Sequence, residues 1–162
     1  MNINPYQAKG VRQLIIARKD LQMSPGKLAA QVSHASMAFL ANMLRNGGVD
    51  EELSLDTGDV VAYHISVAMP QEIYNGWLYG AFTKTICGAK KRNQLMKAVT
   101  MAEELGLQEE KDFFLIRDCC LTELAPEEVD EDGTGRTLTC IGFRPLPDDI
   151  AHAISMKYQL YR

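Results

Sequence analysis

One stretch constrains this chain more than any other. Val11 to Ala17 (VRQLIIA) is a short run rich in Ile and Leu, followed closely by a helix that begins at Ser24-Pro25 and runs to about Leu44. The run reads as a buried strand. Ser is a preferred N-cap and Pro suits the first helical position, so Ser24-Pro25 marks a helix start. Asn46-Gly47-Gly48 stops the helix. The link between strand and helix, Arg18 to Met23, is polar with one or two apolar anchors.

The rest of the chain repeats the alternation. Val49 to Gly58 is acidic and reads as a loop or a short helical turn, and Asp59 to Ala68 (DVVAYHISVA) as a strand ended by Pro70. Gln71 to Tyr79 fits a short helix carrying Trp77. Phe82 to Cys87 is a second strand candidate, broken by Gly88. Asn93 to Leu105 places Leu95, Ala98, Val99, Ala102 and Leu105 at helical spacing, with Gly106 as its cap. Phe113 to Ile116 is short and fully apolar, as in the middle of a sheet. Glu127 to Gly135 is acidic and Gly-rich and reads as a flexible loop. Thr137 to Phe143 is a last strand and Pro147 to about Lys157 a last helix. This order predicts an α/β fold: a single three-layer domain over residues 1–162, with a mixed sheet of about four or five strands flanked by helices. Sites in such sheets form where strands end and helices begin, which selects Ala17 to Lys27 and Arg117 to Thr122.

Composition narrows the function classes. The chain has 162 residues, 46% hydrophobic and 23% charged, ordinary for a globular protein. No apolar run approaches the roughly 18–20 residues that span a bilayer, and Met1 to Gly10 is polar, unlike a signal peptide. A cytoplasmic protein with no membrane partner is expected. Cys87, Cys119, Cys120 and Cys140 form no Cys-x-x-Cys pair and have no His at ligand spacing, so no metal site is expected. Adjacent Cys119 and Cys120 read as small buried residues at a strand end, with a thiol nucleophile or redox pair as the other reading. Net charge is −4, but residues 1–50 hold six Lys/Arg against two acids, and the remainder eleven against nineteen. A locally basic face on an acidic protein can still bind phosphates, weakly and salt-dependently.

On the first helix Lys27, Gln31 and His34 lie within about 60° of one another at 100° per residue. Lys27 stands in the first turn, where a cation opposes the helix dipole. The bland reading is a solvated Lys beside a hydrogen-bonded Gln. The functional one joins Lys27 to the free N–H groups as an anion site.

The segment from Arg18 to Ala35, RKDLQMSPGKLAAQVSHA, closely resembles the signature R-x-D-L-x-M-x-x-G-K-x-A-A-Q-x-S-H-A of the archaeal/eukaryotic-type peptidyl-tRNA hydrolases. Leu105-Gly106-Leu107, the strand Phe113 to Asp118, Thr122 and Ala125-Pro126 are similar to a second family block, and Thr137, Ile141-Gly142 and Pro145 to a third. The resemblance implies a compact α/β domain, often a homodimer, that hydrolyses the ester between a peptide and tRNA and needs no cofactor. It implies catalytic roles for Lys27, Gln31, Asp118, Thr122 and Thr137, and substrate contacts for Asp20, His34 and Lys84. Ester hydrolysis needs a positioned water and a stabilised oxyanion. Lys27 could stabilise that charge or hold the tRNA terminus, Asp118 could orient or deprotonate water directly or through a Thr hydroxyl, and Gln31 could position the ester or the water.

The chain departs from the pattern in places. Lys84 stands in for one strand cation, and a second is replaced near Gly88. Cys119-Cys120 replace Ala-Gly, Glu123 replaces Gln, and the Gly after Ala-Pro gives way to the acidic loop. The stretch Asp59 to Ala68 resembles an insertion, an added strand. Acids near the Thr positions would repel a phosphate backbone. A repurposed member of the fold, acting as a binding module or on another ester or amide, is the alternative.

Overall fold

A computed structural model describes residues 10–162. The polar lead of the chain, residues 1–9, lies outside the described residues. The central sheet is mixed and holds β1 (Val11–Arg18), β4 (Lys84–Ala89), β5 (Phe113–Asp118), β7 (Gly135–Pro147) and β8 (Gln159–Leu160), in the order β5-β7-β1-β4-β8, with β6 (Glu128–Val129) added beside β7. β1 runs parallel to β4 and antiparallel to β7, and β7 is antiparallel to β5. The C-terminal ends of β1, β4 and β5 therefore share one edge of the sheet.

Helices cover both faces, as the alternation of elements predicts. On β1, Leu14 and Ile16 point into a core shared with α3 (Arg92–Glu104) and α4 (Asp148–Ser155), where Leu95, Ala98, Phe113, Phe143 and Ile154 are buried. Ile15 and Ala17 point the other way, into a cluster with Ala35 of α1 (Pro25–Arg45) and Cys140 of β7. Both faces of this central strand are buried, so it reads as a continuous apolar run. α1 lies very close to β7: a Cβ at Gly142 would stand 2.3 Å from the Ala35 carbonyl oxygen, so only glycine fits beneath the helix. Toward the C-terminal half of α1, Phe39 meets Trp77 edge-on with ring centroids 5.6 Å apart, and Val11 and Ile73 complete that smaller core.

Several boundaries differ from those read off the sequence. Gly88 does not break β4: it pairs with Ala17 and Gln159 inside the strand. The helix carrying Trp77 is α2 (Gln71–Ile73) continuing into a π-helical stretch, Tyr74–Ala81, interrupted at Gly80. The acidic loop is partly ordered as β6, which folds back on the start of β7. β8, only two residues long, carries no readable periodicity.

The largest departure is at Val49 to Gly58. Its first half is neither loop nor helical turn but strand β2 (Gly48–Leu53), paired antiparallel with β3 (Val60–Ser66). The two form a separate hairpin, with Gly48 opposite Ser66, and join no other strand among the described residues. The acidic residues of β2 hid its strand character, because a strand with both faces in water shows no apolar alternation of its own.

Candidate active site

The site grows from the N-terminus of α1. Ser24 is the N-cap, its Oγ accepting from the Lys27 N–H at 3.2 Å. The first turn contains no acid of its own. Negative charge comes instead from the segment after β5, where Glu123 accepts hydrogen bonds from the Ser24 hydroxyl and, at 3.0 Å, from the Ser24 N–H. A carboxylate at this helix end answers the dipole that Lys27 opposes.

Lys27 reaches across to the end of β5. Its Nζ lies 2.7 Å from Asp118 Oδ2 and donates to Thr122 Oγ1 at 3.1 Å. One turn further along α1, the buried Gln31 Nε2 donates to the same Asp118 oxygen at 2.8 Å. Asp118 Oδ1 accepts from the Cys120 N–H at 2.9 Å. Burial alone would raise the Asp118 pKa, but the hydrogen bonds from Lys27, Cys120 and Gln31, with the Lys27 charge, outweigh it and hold the carboxyl below its ordinary value. Lys27 moves the opposite way: the bond to Asp118 raises its pKa against the effect of burial. Both groups are therefore charged at neutral pH.

Thr139, which sequence reasoning passed over, completes this network. Its hydroxyl donates to Gln31 Oε1 at 2.6 Å and lies 3.1 Å from the Ile116 carbonyl oxygen. The register of β5 against β7 shifts between Ile116 and Arg117, which pair with Cys140 and Leu138 and leave Thr139 as the extra residue. This bulge turns the Thr139 side chain toward α1, a placement that simple alternation does not give. With both ends of its amide occupied, Gln31 is fixed in one orientation.

The remaining sequence-selected residues are distributed unevenly. Thr137 is buried opposite Asp118, and its hydroxyl is used by the neighbouring segment: it donates to the Ala125 carbonyl at 2.7 Å and accepts from the Glu127 N–H at 3.1 Å. Asp20 is held by Arg18, which clasps Asp20 with Nε and Nη2 and Glu127 with Nη1 and Nη2, all between 2.6 and 3.1 Å. The bond to Glu127, and after it Asp20, drives the Arg18 pKa up against the effect of burial, and the Arg18 bond in turn holds the Glu127 carboxyl down. Arg18 is thus the tie between the site edge and the segment that carries Thr122. The Arg18-x-Asp20 spacing at the head of the resembled signature was the available signal for it. His34 is exposed on α1.

Lys84 is not with these residues. It starts β4 opposite Gln13, at the far end of the sheet, where its Nζ sits over the Phe82 ring and donates to the Phe82 carbonyl at 3.1 Å. At Gly88 the space for a side chain is already taken: a Cβ would lie 2.6 Å from Lys19 Cδ, so a cation from the end of β1 lies over that position. The acids beside the Thr positions are engaged, Glu123 by Ser24, Glu127 by Arg18, and Glu128 by Arg92 and Arg117.

Cys119 and Cys120 are half-buried rather than fully buried, and Cys120 adopts a left-handed φ of 55°. The conformation suits the glycine that the family pattern carries there and is costly for a side chain. Cys87 and Cys140 are buried, and burial pushes the Cys140 thiol up to about 12. Among the described residues no group of three His, Cys, Asp or Glu side chains is placed to hold a metal ion. A cleft of about 550 Å3 opens elsewhere, toward the C-terminal half of α1 between Phe39, Met43, Ile73 and Leu107, and contains none of the site residues. No helix among the described residues is long and apolar enough to cross a membrane.

A lysine fixed against a carboxylate where a strand ends and a helix begins, on a three-layer α/β frame, is the layout of a small α/β enzyme with an electrostatic site at its sheet edge. Comparison with known proteins narrows the class. A family model described as peptidyl-tRNA hydrolase PTH2 matches residues 11–161, and the chain belongs to this family. A protein of Methanopyrus kandleri named peptidyl-tRNA hydrolase is 31% identical over 134 residues, covering 83% of this chain and 84% of the relative. One of the same name from Thermococcus sibiricus is 28% identical over 149 residues, covering 92% and 96%. A solved protein of unknown function from Agrobacterium tumefaciens matches over 94% of this chain and 98% of its own at 11% identity, with a TM-score of 0.49.

Proposed function

We propose that this chain hydrolyses the ester that joins a peptide, or an N-blocked amino acid, to tRNA, releasing free tRNA. The observation that carries the reading is the Lys27–Asp118 pair, 2.7 Å apart at the sheet edge, within a chain matched to the hydrolase family from residue 11 to residue 161.

The site geometry suggests a division of labour. Water attacks the ester carbonyl, and the developing oxyanion needs a fixed positive charge. Lys27 is held protonated and aimed, so it serves as that charge rather than as a base. Asp118, held ionised with both oxygens accepting, orients Lys27; its lowered pKa makes it a weak proton acceptor. Gln31, locked by Thr139, keeps Asp118 in place. The exposed Thr122 hydroxyl, accepting from Lys27, is free to take the proton that the attacking water loses while giving its own to the departing ribose oxygen, so the proton passes from nucleophile to leaving group. Thr137 and the Arg18–Asp20–Glu127 cluster position the segment that presents Thr122. His34, exposed on the same helix, and Lys19 at the end of β1 lie where the tRNA end would approach. The chain works as one such domain, in the cytoplasm where its substrate is made, and as the homodimer that the resemblance implies.

The test is release of N-acetyl-aminoacyl product from N-acetyl-aminoacyl-tRNA, wild type beside Lys27→Ala. Loss of one oxyanion partner costs about 10²–10³ in turnover, and the variant should show it with an unchanged circular dichroism spectrum. Equal turnover by the variant removes Lys27 from the chemistry, and no turnover by folded wild type overturns the activity. Light scattering reads the number of copies.

A further inference from the structure

Among the described residues nothing covers the apolar face of the β2–β3 hairpin. Directly opposed residues share a face: Val49 lies across from Ile65, Glu51 from Tyr63, and Leu53 from Val60 beyond a bulge. Asp50 opposite His64 and Glu52 opposite Ala62 make the other face, where His64 and Glu52 pair at 2.7 Å. The hairpin is thus amphipathic, yet its apolar face is not turned onto the body of the protein. Val49, Leu53, Tyr63 and Ile65 keep 53%, 53%, 61% and 44% of their surface in water. Together with the exposed valines of β3 they present on the order of 400 Å2 of apolar surface, the scale that marks an interaction site on a monomer and about half of what one side of a standard interface buries. A two-stranded hairpin alone is marginal in water, and a cover over one face is what ordinarily sustains it.

Charge identifies the cover. From Asn46 to Thr83 the sequence contains no Lys or Arg and six acids. Outside this stretch several acids are matched within the chain: Asp112 by Arg144, Asp118 by Lys27, Glu127 by Arg18, Asp130 by Arg136. Among the described residues Asp50, Glu51, Asp56, Asp59 and Glu72 have no such cation, and Glu51 stands on the apolar face itself. A second copy seated there would set two uncompensated acidic hairpins against each other, and a nucleic acid would add phosphates to the same field. We propose that the hairpin is a docking arm for a basic protein segment whose apolar side chains are interleaved with Lys or Arg. The apolar residues cover the Val49–Ile65–Tyr63 face while the cations neutralise Glu51 and its neighbours.

The probe is a short fluorescent peptide alternating lysine with valine, with a lysine–serine peptide of equal charge as control. The intact chain should bind the lysine–valine peptide at least tenfold tighter than the control. Glu51→Lys and Ile65→Ser should each weaken it fivefold or more, with turnover of N-acetyl-aminoacyl-tRNA unchanged as the check on folding. Because Gly48 and Ser66 are paired, replacing residues 49–65 by a glycine–serine link should abolish the preference without disturbing α1. Three results each overturn the proposal: equal binding of the two peptides, which reduces the arm to bulk charge; a dimer in light scattering that Ile65→Ser dissociates, which makes a second copy the occupant; and weaker tRNA binding after excision, which makes it a nucleic-acid contact.

Discussion

The site edge and the hairpin solve the placement of charge in opposite ways. At the site edge, carboxylates sit in pairs with cations and backbone donors: Asp118 with Lys27, Gln31 and Cys120, and Glu127 with Arg18. In the hairpin, acids lie in water beside uncovered valines, leucine and tyrosine. The first region is complete within one chain, so its residues are rigid and pre-oriented, as a site that must stabilise a transition state requires. The second has apolar surface and charge but no counterpart, as a surface that works by binding requires. The site edge carries Lys and Arg beside its acids, and the stretch that forms the hairpin carries none.

That contrast can be broken by mutation. The largest effect belongs to Arg18→Ala. Its guanidinium is almost fully buried between Asp20 and Glu127, and removing one member of a buried ion cluster costs about 3–5 kcal/mol. Urea unfolding should show that loss, with turnover falling as the Thr122 segment loosens; a change under about 1 kcal/mol, typical of exposed pairs, would place this cluster in the same category as the hairpin acids.

Next comes Thr139→Val. It leaves the buried Gln31 Oε1 without its donor, at a cost of about 1–3 kcal/mol, and frees the amide to turn. Turnover should fall about tenfold, since 1.4 kcal/mol corresponds to that factor, with little change in KM. Full activity would show that Gln31 needs no fixing.

Acid should act on the site edge through a defined window. The folded pKa values of Asp118 and Glu127 lie below their ordinary 3.8 and 4.5. Their contribution to stability is therefore complete above those values and is lost as pH falls through the lower, folded ones. Lys27, raised above its ordinary 10.5, contributes fully below that value and loses its contribution as pH rises through the raised one. Stability from this cluster should be flat between about pH 5 and pH 10 and decline at both ends; a midpoint near neutrality in thermal unfolding would point to a different group.

The smallest effect is expected in the hairpin. Tyr63→Ser removes an exposed side chain that packs only across its own two-stranded ribbon, and surface changes of this kind stay within about 0.5 kcal/mol. A loss of 2 kcal/mol or more in the isolated protein would mean that the apolar face already supports the fold.

Some of this was legible in the residues themselves. Val11 to Ala17 declares a strand buried on both faces, and Ser24-Pro25 fixes the start of α1, because caps and short apolar runs act locally. The long signature around Lys27 and Gln31 selects one helix face, since residues four apart lie together on any helix. The tertiary structure alone decided who meets whom. Nothing local places Thr139 on Gln31, because its orientation comes from a bulge against β5. Nothing local sends Lys84 to the far end of the sheet, because strand direction and register are set by long-range pairing. The same holds for β2, whose acidic sequence carries no strand period and is extended because β3 hydrogen-bonds to it. The sequence determined the elements whose signals lie within a few residues; contacts separated by many residues, Lys27 to Asp118 among them, exist only once the sheet edge has brought their elements together.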